Sequence, residues 1–343
     1  MRTIWWKDGV AVTFDQTKLP SDKVFLEMKE CSDAASAIRE MRVRGAPLIG
    51  VTAAYGLALA AYHSKAEKRD EMMKEINESA EVLRRSRPTA VNLFWAIDRV
   101  LKRARTVSGN TETLAKAVLD EAQKMADEDV EANRRMGEYG AKLIREEEVV
   151  LTHCNAGSLA TVDYGTALGV IRAAWNQGKK ISVIATETRP KLQGARLTTY
   201  ELKRDGIPVT LITDSMVGYV MSKRLVDKVI VGADRIVQDA VINKIGTYTI
   251  AVLAQEHKVP FYVAAPRSTF NLKQTSEDVT IEERSSEEVT HFRSQRIAPS
   301  GIKALNPAFD ITPLKYVEAV ICESGVLSTS ELERLTADYG TRA

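Results

Sequence analysis

The sequence predicts an α/β protein, with a parallel-sheet domain preceded by a mostly helical domain that opens on a small β-meander. Three observations carry this. From Glu148 onward, short β-branched and apolar runs alternate with helical patterns, and repeated βα units imply a parallel sheet with helices on both faces. Between residues 32 and 145 the patterns are helical. Residues 1–30 instead alternate apolar and polar around a turn at Lys7-Asp8-Gly9.

A chain of 343 residues has length for two domains with real cores. They are expected at 1–128, helical with the meander, and at 129–343, a Rossmann-like α/β domain. Strands Thr3–Lys7 and Val10–Asp15 lead into Val24–Met28. Ser32 can cap a helix to about Met41, with Asp33 in its first turn. Pro47 suits the first position of the next helix, whose Ala and Gly residues imply close packing. Two helices follow, Asp70–Ser86 and Pro88–Thr106, the second directly after Arg87. A charged amphipathic helix from Thr111 to about Arg145 connects to the sheet domain. Its strands are expected at Val149–His153, Ile181–Thr186, Val209–Thr213, Lys228–Val231, Phe261–Ala264 and Ala319–Cys322. A helix from Leu159 to Trp175 follows the first. Residues 271–300 are polar and aperiodic, a long loop over one end of the sheet, and such loops are uncommon without a functional reason.

Composition narrows the function classes. Forty-eight basic against forty-six acidic residues give a net charge of +2, which argues for neither nucleic acid nor an acidic membrane surface. Cys31, Cys154 and Cys322 are odd in number and far apart, so neither a disulfide framework nor a zinc spacing follows, and a reducing cytoplasm is the expected compartment. His63, His153, His257 and His291 form no metal-ligand set. The N-terminus is too polar for a signal peptide, and the longest apolar stretch, Pro47 to Tyr62, falls short of a membrane span.

Chemistry is expected at the strand ends, because ligands of open α/β sheets bind outside the carboxyl ends of the strands. The run Val149–Thr152 gives way within one residue to His153-Cys154-Asn155-Ala156-Gly157-Ser158, which puts Cys154 at such an end. Other ends supply Glu187, Thr188 and Arg189, then Asp214 and Ser215, Asp234, and Glu323 and Ser324. A thiol among carboxylates is the composition of an acid/base site that uses neither metal nor cofactor. No GxGxxG follows the first strand, which disfavours a dinucleotide site. His153 points opposite to its neighbour and reads as a packing or hydrogen-bonding residue. A second group is basic. Arg44 and Arg87 each stand before a Pro-initiated helix, whose N-terminus is a ready anion site, and a guanidinium can bind phosphate bidentately. Asn243-Lys244, at the start of a helix Gly246–Glu256, is a third candidate. Together they point to a phosphorylated small molecule rather than a nucleotide.

Nearly the whole chain resembles one family. The motifs are Arg44-Gly45-Ala46-Pro47, Thr152-His153-Cys154-Asn155-Ala156-Gly157, Glu187-Thr188-Arg189-Pro190 and Gln193-Gly194-Ala195-Arg196-Leu197-Thr198. They continue through Asp214-Ser215-Met216, Gly232-Ala233-Asp234-Arg235, Asn243-Lys244-Ile245-Gly246-Thr247, Ile281-Glu282-Glu283-Arg284 and the stretch from Asn306 to Pro313. The sequence resembles the methylthioribose-1-phosphate isomerases of methionine salvage. The resemblance implies conversion of S-methyl-5-thio-α-D-ribose 1-phosphate to S-methyl-5-thio-D-ribulose 1-phosphate. Carried over by motif, Asp234 protonates the ring oxygen and Cys154 assists at the transition state. Arg44, Gly45, Ala46, Arg87, Gln193, Asn243 and Lys244 hold the substrate. A homodimer is implied as well, with no cofactor and no metal. Such an Asp234 must be protonated near neutral pH, which requires burial or a nearby anion. Cys154 can take the C2 proton as a thiolate or polarise a hydride shift, and the sequence allows both. The wider family includes ribose-1,5-bisphosphate isomerases and non-catalytic regulatory subunits of translation initiation factor 2B. The Cys154/Asp234 pair speaks against the latter. A methylthio group wants an apolar pocket rather than a second cationic cluster, and Tyr55, Phe94 and Trp95 are apolar candidates in the N-terminal domain.

Overall fold

The computed structural model describes residues 1–340. They form two compact units, Met1–Asn133 with Gly157–Gly165, and Arg134–Ala156 with the chain from Thr166 onward.

The first unit begins with the meander β1 (Ile4–Lys7), β2 (Val10–Phe14) and β3 (Phe25–Met28), all antiparallel, with Ile4 opposite Thr13 and Ala11 opposite Met28. Five helices follow: α1 (Cys31–Arg39), α2 (Ala46–His63), α3 (Arg69–Ser86), α4 (Val91–Thr106) and α5 (Thr111–Ala141). Every residue of α2 from Leu48 to Leu59 is buried, packed by α1, α3 and α4. By length and composition this 18-residue helix could cross a membrane. Its enclosure in the core accounts for the same apolarity, since a helix apolar all round is a buried one.

Two expected helix starts move. The N-cap of α1 is Glu30, not Ser32, because the Asp33 carboxylate reaches back to accept the backbone N–H groups of Lys29 and Glu30 at 2.8 and 3.1 Å. Pro88 does not open α4. A proline disfavours helical backbone in the residue before it, and Arg87 accordingly sits at φ −155°, ending α3. The Ala90 N–H then closes a turn onto the Arg87 carbonyl at 3.1 Å, and α4 starts at Val91.

The second unit is organised on β4 (Val149–Thr152), α6 (Ala167–Asn176), β5 (Ser182–Thr186), α7 (Thr199–Arg204), β6 (Val209–Ile212), α8 (Val217–Ser222) and β7 (Lys228–Val231). Next come β8 (Arg235–Ile236), β9 (Ala240–Lys244), α9 (Thr247–Glu256) and β10 (Phe261–Ala264). The chain ends with α10 (Glu287–Thr290), β11 (His291–Phe292), β12 (Gln295–Arg296), β13 (Phe309–Pro313), β14 (Ala319–Cys322), β15 (Gly325–Ser328) and α11 (Thr329–Gly340). Seven strands form one sheet in the order β15-β14-β10-β7-β4-β5-β6, parallel except for β15. Leu151 pairs with Ile184 on one side and Val229 on the other. The central runs, such as Lys228–Val231, are buried throughout, which is why they read as continuous apolar segments rather than alternating ones.

Two features depart from expectation. The helix foreseen from Leu159 starts only at Ala167. The backbone of Gly157–Gly165 is bonded elsewhere: Thr3 donates to the Ser158 carbonyl, Gln16 to the Leu159 carbonyl, and the Val162 N–H to Asp129. Residues 240–244 form β9 of a separate antiparallel sheet, β13-β9-β8, not a helix start. The polar stretch 271–300 is largely irregular, with the short α10 and the β11–β12 hairpin inside it.

Candidate active site

The order of the seven strands places a reversal beside Cys154. From β4 the chain moves outward through β5 to β6, then returns to β7 on the other flank of β4. Such a point leaves a crevice between the diverging loops at the carboxyl ends. Cys154 follows β4, and Asp234 follows β7, its immediate neighbour. The two loops meet closely. A Cβ built on Gly232 would lie 2.8 Å from that of Ala156. Asp234 is half-buried, and its N–H bonds the Ile242 carbonyl at 3.0 Å, tying the loop to β9.

Cys154 is buried and sits at φ +63°, a left-handed conformation that costs a non-glycine residue on the order of 1–3 kcal/mol and persists only where its surroundings over-determine it. Here they do. The Cys154 N–H donates to Thr188 Oγ1 at 2.9 Å, and Thr198 Oγ1 donates to the Cys154 carbonyl at 2.6 Å. The next residue, Asn155, donates to Glu201 Oε1 at 2.9 Å, and Glu201 is paired with Arg172 at 2.7 Å in a buried array that Asp205 extends. Thr198 belongs to a stretch of π-helix, Gly194–Thr198, a geometry frequent at functional sites. Gly194 starts it because a Cβ there would lie 1.8 Å from the Thr186 carbonyl oxygen.

His153 is fully enclosed, with Nδ1 2.6 Å from Thr186 Oγ1 and Nε2 2.8 Å from the Ile245 carbonyl. Burial lowers its pKa, so the ring is held neutral. It is the hydrogen-bonding residue expected, not an acid or base. Asp214 accepts the backbone N–H groups of Thr188 and Arg189 at 2.8 and 2.7 Å and so fixes the loop after β5. Burial, and then the neighbouring Asp214 charge, raise the pKa of Glu187.

The remaining candidates of this unit surround the same strand ends. Gln193 is buried with no partner for Oε1, an orphaned acceptor in the loop that follows β5. Asn243 donates to Thr247 Oγ1 at 3.0 Å, and Lys244 donates to the Ala308 carbonyl at 2.8 Å with its ammonium 4.5 Å from the Phe309 ring centre. Both lie on β9 rather than at a helix terminus. The N-terminus of α9 is occupied instead by Asp310, which accepts from the Gly246 and Tyr248 N–H groups at 2.7 and 3.1 Å. An anion-binding role for Asn243 and Lys244 therefore has to rest on the side chains themselves.

Arg44, Gly45, Ala46 and Arg87 belong to the first unit. Gly45 caps α2 at φ +96°, and a Cβ on it would lie 2.4 Å from the Ala160 carbonyl oxygen, so only glycine fits against that backbone. Arg44 is half-buried just ahead of the helix N-terminus. Arg87, also half-buried, ends α3 and is set back from α4 by the turn through Pro88. The loop Gly157–Gly165, three residues beyond Cys154, is an integral part of this unit.

Thr198 closes the motif that starts at Gln193, whereas Thr186, Glu201 and Arg172 carry no motif signal in the sequence. A threonine at a strand end reads as ordinary β-branched filling, and only the fold reveals its partner. Among the described residues no group of three or more His, Cys, Asp or Glu side chains is arranged to hold a metal ion.

The sequence profile of the initiation factor 2 subunit family matches residues 42–329. The methylthioribose-1-phosphate isomerase of Acetivibrio thermocellus is 52% identical over 95% of this chain and 96% of its own length. The crystal structure of 5-methylthioribose 1-phosphate isomerase from Pyrococcus horikoshii is 43% identical, with a TM-score of 0.92 over 100% of this chain and 96% of that one. A crystal structure from A. fulgidus, described as the delta subunit of translation initiation factor eIF-2B, is 54% identical with a TM-score of 0.87 over 96% of each chain.

Proposed function

The chain belongs to the initiation factor 2 subunit family, and from that premise we propose that it is the aldose–ketose isomerase converting S-methyl-5-thio-α-D-ribose 1-phosphate to S-methyl-5-thio-D-ribulose 1-phosphate in methionine salvage. The observation that carries this is the pair Cys154 and Asp234 on adjacent parallel strand ends at the reversal point of the sheet. Full-length identity near 50% to proteins named for this reaction supports it.

The chemistry explains the residue types. Phosphate on C1 prevents the usual opening to a free aldehyde. The C1–ring-oxygen bond has to break with a proton delivered to that oxygen, and a hydrogen has to move from C2 to C1 as the C2 hydroxyl becomes a ketone. Asp234 is the proton source in this scheme. Cys154 acts at C2, as base or as polarising group. Gln193, Asn243 and Lys244 are substrate-binding residues in this reading, as are Arg44, Gly45, Ala46 and Arg87. The three cysteines are free thiols, which supports a cytoplasmic location, and large apolar side chains exposed on β6 and α8 support a homodimer.

The name carried by the A. fulgidus structure favours a second reading, a non-catalytic regulatory subunit. An assay of the purified protein separates them. Methylthioribose 1-phosphate is supplied and the ketose followed by proton NMR, with ribose 1,5-bisphosphate in parallel. Turnover of the first substrate supports the isomerase, and no turnover of either supports the regulatory subunit.

A further inference from the structure

We infer that Thr188, Thr186 and His153 are positioning residues that hold Cys154 for the reaction through one directed chain of hydrogen bonds. The inference rests on the proposed role of Cys154. Both ends of the chain have a fixed polarity. At one end the Ile245 carbonyl can only accept, so His153 Nε2 carries the proton across 2.8 Å. The neutral ring then accepts at Nδ1, and the Thr186 hydroxyl must donate to it across 2.6 Å. At the other end the Cys154 N–H can only donate, and Thr188 Oγ1 accepts it at 2.9 Å. With the Thr186 proton engaged by His153, the Thr188 hydroxyl is the donor of the pair, with Thr186 Oγ1 the nearer acceptor at 3.2 Å and the Thr186 carbonyl a longer one at 3.5 Å. All three residues are buried, and no water is needed to complete the chain.

Two further details indicate that the chain sets a conformation rather than merely filling space. Cys154 and Thr188 are both left-handed at φ +63°, so the hydrogen bond between them joins two strained residues. Asp214 pins Thr188 in turn through its backbone N–H. With the Cys154 carbonyl held by Thr198, both peptide groups of the cysteine are fixed by hydroxyls, and its side chain follows from its backbone.

The test is Thr188→Val, which keeps the shape and removes the hydroxyl, with Thr188→Ser as the conservative control. Turnover and the pH profile of Cys154 alkylation by iodoacetamide are both measured, the modified peptide being identified by mass spectrometry. The valine variant is expected to keep its circular dichroism, lose about 10- to 100-fold in kcat as a small misplacement would, and show a displaced Cys154 alkylation profile. Serine restores both. A valine variant with wild-type kcat per folded molecule and an unchanged alkylation profile overturns the inference, even if its Tm falls. If Thr188→Val does not fold, Thr186→Val is read the same way. Alkylation needs no catalysis, so a Cys154→Ala enzyme that still turns over would remove the catalytic role without deciding the positioning.

Discussion

Cys154 bears a left-handed backbone that an inert buried thiol would have no reason to adopt, whereas Cys31 shows what an inert one looks like. Burial raises the Cys31 thiol to about 12, and it lies at the start of a regular helix. Cys154→Ala is therefore expected to abolish turnover while leaving circular dichroism unchanged, and near-wild-type turnover would refute the assignment. Asp234→Asn keeps the shape but removes the proton source, and a well-placed acid contributes ~10²–10⁴ in rate. Retention of more than about a tenth of kcat, with chemistry rate-limiting, would mean another residue is the acid. Gln193 makes a different kind of test. Its buried Oε1 has no partner, and an unsatisfied acceptor costs about 1–3 kcal/mol. Gln193→Leu removes that penalty at similar volume, so thermal unfolding should show equal or greater stability while calorimetry shows weaker product binding. Unchanged product affinity would make the orphaned oxygen a packing defect instead of a substrate contact.

At the scale of elements, the parallel strands were legible because a strand covered on both faces is a short apolar run with turn signals beside it. Val149–His153 against β4, and Lys228–Val231 against β7, differ by a residue at most. The antiparallel β8-β9-β13 sheet was not legible. Ala240–Lys244 abuts a helix and pairs with a strand more than sixty residues later, information absent from any local window. The irregular Gly157–Gly165 loop was missed for a related reason, since its partners Thr3 and Gln16 are remote in sequence. Cys154 and Asp234 were visible as strand-end residues, but the hydroxyl chain behind Cys154 depends on strand neighbours. Two carboxylates on the long polar excursion and on β13 give opposite pH responses. Burial disfavours the Glu288 carboxylate, but the Arg284 hydrogen bonds and charge outweigh it, along with Asn306 and Lys191, and hold it at about 2, below its ordinary 4.5. The native state thus binds that proton less tightly, and the stability it contributes is present above pH 4.5 and lost as pH falls toward about 2. Burial instead pushes Asp310 up to about 6 from 3.8, against its backbone hydrogen bonds. Its contribution is full below pH 3.8 and declines as pH rises to about 6. Urea unfolding as a function of pH should lose the acid limb in Glu288→Gln and the mid-range decline in Asp310→Asn. Identical slopes in variant and wild type would contradict both.

For the whole molecule, composition left little to read, since a near-neutral charge balance points to no particular partner. The surface is more informative. Leu211, Met216, Tyr219 and Leu225 fall within fifteen residues of chain along β6 and α8, and each is at least 45% exposed. β6 is also the edge of the seven-stranded sheet, with Thr210 and Leu211 open to solvent. An edge strand left apolar and uncovered is an aggregation hazard that proteins normally blunt with charge, bulges or a covering element. A second copy of the chain is the covering that the homodimer proposed above would provide. A stable interface removes about 800 Å² per partner, which four large apolar side chains and their neighbours are of a scale to anchor. Sedimentation equilibrium of the wild type is therefore expected to give twice the 37.9 kDa chain mass. Leu211→Lys combined with Tyr219→Glu places charge on this surface, away from the strand ends that carry Cys154 and Asp234. It should yield a folded monomer by sedimentation and circular dichroism. A wild type that sediments as a monomer at assay concentrations would overturn the dimer, and a double variant that remains dimeric would move the interface to another face of the molecule.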